Sequence, residues 1–244
     1  MQIIADTHVH TISSGHAHAT VLENIEQAKK KGLKFLGITD HATAIEGAPQ
    51  YEYFRSLPKV LPRHYDGIYL LRGCEVNILN EQGDLDLDES ILRPLDLVIA
   101  SMHVLAMDPI DRAAHTRTWL NIAKNPNVDI IGHCGDQRFD FDHEPVIEAF
   151  AEHGKVVEIN AHSPQSRPGS DVNCRDIARL CAKYSVGVVC SSDAHFSPEV
   201  GLVDSSINML KEIGFPESLV LNADEERFRA FIEKCTGHPY PPLA

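Results

Sequence analysis

The sequence has no uninterrupted apolar run near the ~18 residues a membrane-spanning helix needs, so no spanning segment is expected. Its first residues, Met1-Gln2-Ile3-Ile4-Ala5-Asp6, lack a basic cluster ahead of an apolar stretch, so no secretory leader is expected. Basic residues are in short supply. Lys and Arg number 22 against 35 Asp and Glu, for a net charge of −13, and no basic stripe is available to track a nucleic acid. That balance still allows an anionic small substrate, because clustered divalent cations reverse the sign inside a pocket. None of the six cysteines (Cys74, Cys134, Cys174, Cys181, Cys190, Cys235) belongs to a CxxC pair, and most sit in apolar runs. They read as reduced core thiols of a cytoplasmic protein. No linker or low-complexity tract interrupts the chain, and residues 1–244 are expected to form a single domain.

What is present is an alternation of short apolar runs and amphipathic helices. Strands are expected at Ile3 to Ala5, Lys34 to Thr39, Ile68 to Cys74, Leu95 to Met102, Val128 to Gly132, Val156 to Asn160 and Val186 to Cys190. The first helix is expected over Val21 to Lys31, with Thr20 and Glu23 as a capping box. Helical content around Glu52 to Val60 is expected to be broken by Pro58 and Pro62, and Gln82-Gly83 to turn a small hairpin. The last helix is expected after Asn222, with Glu225 at its third position, and the tail Pro239-Tyr240-Pro241-Pro242 as extended chain. Strand–helix alternation of this kind predicts a barrel-like sheet of parallel strands, with all strand C-termini on one face.

Histidine is abundant, at 14 residues, and its placement is informative. His8 and His10 form His-x-His at the end of the first strand, where residues two apart point the same way. His41, Glu75, His103 and His133 follow the next four strands, Asp193 and His195 follow the last, and His16 and His18 lie in the first loop. Barrel enzymes gather their chemistry at these strand ends. Imidazoles with a few carboxylates suit zinc, manganese or iron better than calcium or magnesium, and so many groups exceed the need of one ion. Two or three cations sharing a carboxylate is the economical reading, with Glu75 as the bridge. Asp6 and Asp40 are candidates to hold an imidazole tautomer. Asp84, Asp86 and Asp88 alternate but lack the spacing of a calcium loop, and are expected on a solvated edge. Arg167, in the loop after the sixth strand, is the candidate for gripping a phosphate, with Arg138 as second choice.

The stretches Asp6-Thr7-His8-Val9-His10, Thr39-Asp40-His41, Gly73-Cys74-Glu75, Ser101-Met102-His103, Ile131-Gly132-His133 and Ser192-Asp193-Ala194-His195 resemble, in order and across nearly the whole chain, the motifs of the PHP (polymerase and histidinol phosphatase) family. The nearest likeness is to small single-domain bacterial PHP phosphatases with a trinuclear zinc site. The resemblance implies a distorted (β/α)7 barrel and hydrolysis of a small phosphate monoester through a metal-bridging hydroxide. It also implies three divalent ions, zinc first, with manganese or iron as alternatives. Carried over by position, it places one ion on His8, His10, Glu75 and Asp193, a second on Glu75, His103 and His133, and a third on His16, His41 and His195. His16 is preferred to His18 because it keeps the family spacing. His18 remains a candidate near the substrate, and Asp193 a candidate to orient the attacking hydroxide.

Three other functions stay in view. A C–N hydrolase of the amidohydrolase kind is disfavoured by Glu75 where that kind carries a modified lysine. A non-catalytic PHP module is disfavoured by the complete ligand set. A phosphodiesterase or exonuclease is disfavoured by the net charge. No membrane or nucleic-acid partner is expected, and a homo-oligomer is left open.

Overall fold

The computed structural model describes residues 1–239; the expected extended tail at Tyr240 to Pro242 lies outside the described residues. The strands are β1 (Ala5–Asp6), β2 (Phe35–Ile38), β3 (His64–Tyr65), β4 (Ile68–Asn77), β5 (Leu97–Ser101), β6 (Ile130–Ile131), β7 (Val156–Asn160) and β8 (Val188–Ser191). The main helices are α1 (Val21–Lys30), α2 (Tyr51–Val60), α3 (Glu89–Leu92), α4 (Arg112–Lys124), α5 (His143–Glu152), α6 (Ser163–Ser166), α7 (Ser170–Tyr184), α8 (Asp204–Glu212) and α9 (Glu225–Thr236). Seven strands pair in parallel in the order β1-β2-β4-β5-β6-β7-β8, and β3 adds an antiparallel flank to β4. The fold is the expected α/β barrel, distorted and nearly closed.

Period-two alternation divides the apolar residues of the strands into two layers. Ala5, Phe35, Tyr69, Leu71, Leu97, Ile99, Ile130, Val156 and Val189 fill the barrel interior, and Phe228, Phe231 and Ile232 of α9 plug its lower end. Their neighbours, such as Leu70, Val98, Ile131, Val157 and Val188, face outward onto the helices. Going up the interior, the apolar layer gives way to charge: two steps beyond Gly73 on β4 comes Glu75, and two steps beyond Val156 on β7 comes Glu158.

The first and last strands do not form a continuous ladder. At the upper end a single parallel bridge joins Val9 to Ala194, with His10 N–H donating to the Ala194 carbonyl and Asp193 N–H to the His8 carbonyl (both 2.9 Å). At the lower end Leu221–Ala223 lies between the two strands, with Ile4 N–H donating to the Asn222 carbonyl (2.8 Å) and the Asn222 side chain reaching both strands. Asn222 Nδ2 donates to the carbonyls of Ala5 (2.8 Å) and Cys190 (2.6 Å), and its Oδ1 accepts from Cys190 N–H (3.1 Å). Asn222 therefore staples β1 to β8 and is not a helix cap. The cap of α9 is Asp224, which accepts from Arg227 N–H.

The capping box of Thr20 and Glu23 forms as expected. Pro58 does not break α2, because it sits in the last turn, where few further hydrogen bonds are lost, and its carbonyl accepts from Arg72 Nη1 at 2.8 Å. The hairpin after Asn77 reduces to one bridge, Ile78 to Leu85. Asp86 departs from the expected solvated edge: it is buried, and its carboxylate accepts from Asn77 and Ala44.

At the lower end, burial pushes the Asp129 carboxyl up to about 6, against hydrogen bonding from Val98 N–H and the attraction of Lys155. A folded-state value above the unfolded one of 3.8 gives stability that is complete at low pH and is lost as pH rises through about 6. Asp129→Asn keeps an acceptor for Val98 N–H, so its stability relative to the native chain is expected to rise between pH 4 and 7. Urea midpoints of the two proteins across that range test this; a constant difference refutes it.

Candidate metal centre

The strand ends bring the expected groups to one rim. Val9 turns into the core while His8 and His10 face the barrel mouth, their ring centroids 5.0 Å apart. Glu75, fully buried, stands at the middle. Its Oε1 lies 2.8 Å from His133 Nε2 and 3.3 Å from His103 Nε2. Its Oε2 lies 2.7 Å from His41 Nδ1, 3.2 Å from His8 Nε2 and 3.6 Å from His10 Nε2. The two oxygens thus face two different sets of imidazoles. Asp193 Oδ1 faces His10 Nε2 (3.1 Å) and His8 Nε2 (3.5 Å), while Oδ2 accepts from Arg167 Nη2 (3.0 Å) and Asn160 Nδ2 (3.1 Å). His16 stacks on His195 and His41, at 4.8 and 5.0 Å between centroids.

Three groups of side chains each converge closely enough for one ion: His8-His10-Glu75, His41-Glu75-His103 and His10-His41-His195. They share His10, His41 and Glu75, so the centre is one contiguous basin. His41 faces Glu75 as well as His16 and His195, the pair with which the family positions group it. Four of the buried polar atoms here, His8 Nε2, His41 Nδ1, His103 Nε2 and Glu75 Oε2, have no hydrogen-bond partner. Burying such atoms unpaired is costly, and they face one another across the space a cation needs. The donor set fits borderline divalent ions.

The electrostatics suit the same role. Burial alone drives the Glu75 carboxyl up, but the surrounding His8, His103 and His41 prevail and hold it well below the usual carboxylate range. Burial is likewise overcome at Asp193, by His8 and Arg167, and the carboxyl is held well below normal. Burial pushes His10 well down, with His41 adding to it, and also lowers His103. At His8 the desolvation is outweighed by Glu158, Glu75 and Asp193, which raise it well above normal. The acids are thus biased toward the ionised form, and His10 and His103 toward the neutral one.

Two of these positions carry backbone strain. His133 and Asp193 have φ of +23° and +58°, in the region that side chains rarely adopt. Each is held by a specific contact: His133 N–H donates to Glu158 Oε2 (2.6 Å), and Asp193 N–H to the His8 carbonyl. The preceding Gly132 lets β6 approach β5, since a Cβ there would lie 2.1 Å from Ser101 Oγ.

The groups that aim the imidazoles are not those expected. Asp6 binds Ser192 and the Gly201 and His8 amides, and Asp40 binds Thr11, Ser14 and Tyr53; neither touches a ring. Instead, Glu158 Oε1 takes His8 Nδ1 (2.6 Å), Ser14 Oγ takes His10 Nδ1 (3.0 Å) and Asn77 Oδ1 takes His103 Nδ1 (2.8 Å). Asp40 acts at one remove, through Ser14. Glu158 had a visible signal, a lone acid inside an apolar strand. Ser14 and Asn77 had none.

A cavity of about 290 Å³ opens onto the centre, lined in part by His16, His41, His103, Arg167, Asp193 and His195. Arg167 is thus placed at the cavity wall. Arg138 and His18 are not. The Arg138 guanidinium is taken by Asp136, at 2.6–3.0 Å, and does not line this cavity. His18 is exposed, and only its backbone N–H reaches the site, donating to the His195 carbonyl (2.7 Å). A larger hollow of about 520 Å³ lies at the opposite end of the barrel, against α9 and away from the histidines.

A parallel barrel with a buried carboxylate ringed by imidazoles defines a class, and residues 6–162 match the PHP domain; the chain belongs to that family. Relatives over nearly full length are curated as "probable phosphatase". One from Acetivibrio thermocellus is 42% identical, covering 96% of this chain and 97% of its own. One from Thermoanaerobacter sp. is 44% identical, covering 96% of each. A histidinol phosphate phosphatase from Lactococcus lactis, solved with zinc, L-histidinol and phosphate, shares the fold: TM-score 0.65 at 17% identity, over 88% of this chain and 95% of that one.

Proposed function

We propose that this chain, as one domain, is a phosphatase that hydrolyses a small phosphate monoester at a centre of up to three divalent cations, zinc first among them. The carrying observation is Glu75: each oxygen faces a separate set of imidazoles, and its own Oε2 and three imidazole nitrogens around it, on His8, His41 and His103, lack a hydrogen-bond partner. His8, His10, Asp193 and Glu75 would hold one ion, Glu75, His103 and His133 a second, and His16, His41 and His195 a third. The full-length relatives support the activity, and the zinc in the Lactococcus lactis structure supports the metal. When bound, such ions supply an activated water near neutral pH and positive charge for the transferring phosphoryl group.

The chain's own residues do the rest. Arg167, with its side chain 12% exposed, offers its guanidinium to the non-bridging phosphate oxygens, and Asp193 fixes its angle. Asp193 stays ionised, so it orients the attacking water and is a poor store for a proton. Glu158, Ser14 and Asn77 keep His8, His10 and His103 aimed inward.

Chelation should abolish hydrolysis of phosphate monoesters, and adding back zinc or manganese should restore it. Undiminished turnover by metal-free protein would falsify the proposal. Arg167→Ala removes a charge-assisted contact of roughly 1.5–3 kcal/mol, so kcat/KM for a phosphate ester should fall about 10- to 100-fold. An unchanged kcat/KM removes Arg167 from the site.

A further inference from the structure

We propose that Asp86, outside the metal centre, is a positioning residue that sets the tautomer of His103 by locking the amide of Asn77. The inference rests on His103 being a ligand, as proposed above.

The connection runs over two hydrogen bonds. Asn77 Nδ2 has two hydrogens, and both are used: one goes to Asp86 Oδ2 at 2.7 Å, the other to the Ala42 carbonyl at 3.3 Å. The amide oxygen is thereby turned toward His103 Nδ1, 2.8 Å away. Only an N–H can face that oxygen, so the proton sits on Nδ1 and the lone pair on Nε2. That is the nitrogen facing Glu75, and it is one of the buried atoms with no hydrogen-bond partner. The reverse tautomer would point an N–H into the centre, where a ligand needs a lone pair.

Asp86 is suited to act as the lock because it can only accept. Its Oδ1 takes Asn77 N–H (2.8 Å), and Oδ2 takes Ala44 N–H (2.8 Å) as well as Asn77 Nδ2. Three donors converge on one buried carboxylate, and two of them are backbone groups that cannot turn away. Removing the carboxylate altogether, as in Asp86→Ala, leaves the Asn77 amide held by its 3.3 Å contact to the Ala42 carbonyl alone, so the amide is free to turn its NH2 toward His103. Where it does, His103 must accept on Nδ1 and carry its proton on Nε2. Single replacement of the groups that orient metal-ligating histidines typically costs 10–100-fold in metal affinity.

The test separates this lock from simple anchoring of the Ala44 segment. In metal-free protein, nitrogen-15 imidazole spectra should show His103 with its proton on Nδ1. Asp86→Ala should place the proton on Nε2 in part of the population and weaken zinc binding about 10-fold. Asn77→Asp/Asp86→Asn puts an acceptor beside His103 again and lets the new amide donate to it, but leaves Ala44 N–H without its carboxylate. This double variant should regain the Nδ1 proton and recover most of the zinc affinity. The proposal is overturned if native His103 carries its proton on Nε2, if Asp86→Ala leaves it wholly on Nδ1, or if the double variant carries it on Nε2. Should Asp86→Ala fail to fold, the native chain and the double variant decide the matter by the same spectra. The tautomer is read without substrate, so a failure to hydrolyse phosphate esters counts against the phosphatase reading alone.

Discussion

Glu75→Gln is expected to lower kcat/KM for phosphate esters by at least ~10³-fold and to reduce the metal bound per chain. The argument is geometric. Both Glu75 oxygens are in use, Oε1 toward His133 and His103 and Oε2 toward His41, His8 and His10. An amide offers one oxygen and one NH2, so one side of the centre would face a donor where it needs an acceptor. The substitution also removes the charge that the surrounding imidazoles stabilise, and clustered cations lose their shared counter-charge. A loss of ~10³-fold corresponds to ~4 kcal/mol, the size seen when one electrostatic group of a preorganised site is removed. Elemental analysis together with steady-state kinetics checks this. Full metal content with native turnover would show that Glu75 bridges nothing.

Asn222→Ala is expected to cost roughly 3–5 kcal/mol of stability while leaving the chemistry nearly intact. Asn222 makes three side-chain hydrogen bonds in a fully buried position, to Ala5 and Cys190, across the one gap in the sheet. Truncation strands two carbonyls and an N–H, and each buried group left unpaired costs about 1–3 kcal/mol. The rim is closed independently by the Val9–Ala194 bridge, so kcat/KM under native conditions should stay within about threefold. Denaturant midpoints give the first number and steady-state assays the second. A destabilisation below ~1 kcal/mol would mean that the barrel closes without this side chain.

These two residues show how unevenly the sequence exposes its structure. Glu75 is legible because strand-end position and chemistry coincide: an acid after an apolar run, among histidines that follow other apolar runs. Asn222 is not, because an asparagine before a helix reads as a cap, and only the meeting of β1 with β8 reveals two carbonyls to be joined. Asp86 failed for a related reason. Alternation of Asp84, Asp86 and Asp88 reads as one solvated face, yet the chain folds back over Asn77 and buries the middle acid. Arg138 and Arg167 looked alike as loop arginines. A neighbouring Asp136 takes up the first, while the second reaches Asp193, distant in sequence, at the cavity.

Sequence alone determined the alternation of strands and helices, hence the parallel barrel, and the set of imidazoles and carboxylates at its strand ends. Both follow from local periodicity and from the rule that right-handed crossovers put strand C-termini on one face. Tertiary structure decided which oxygen of Glu75 faces which ring, which arginine enters the cavity, and how Glu158, Ser14 and Asn77 turn the imidazoles. Those contacts join residues far apart along the chain, and their energies depend on distances and burial that exist only once the strands have closed.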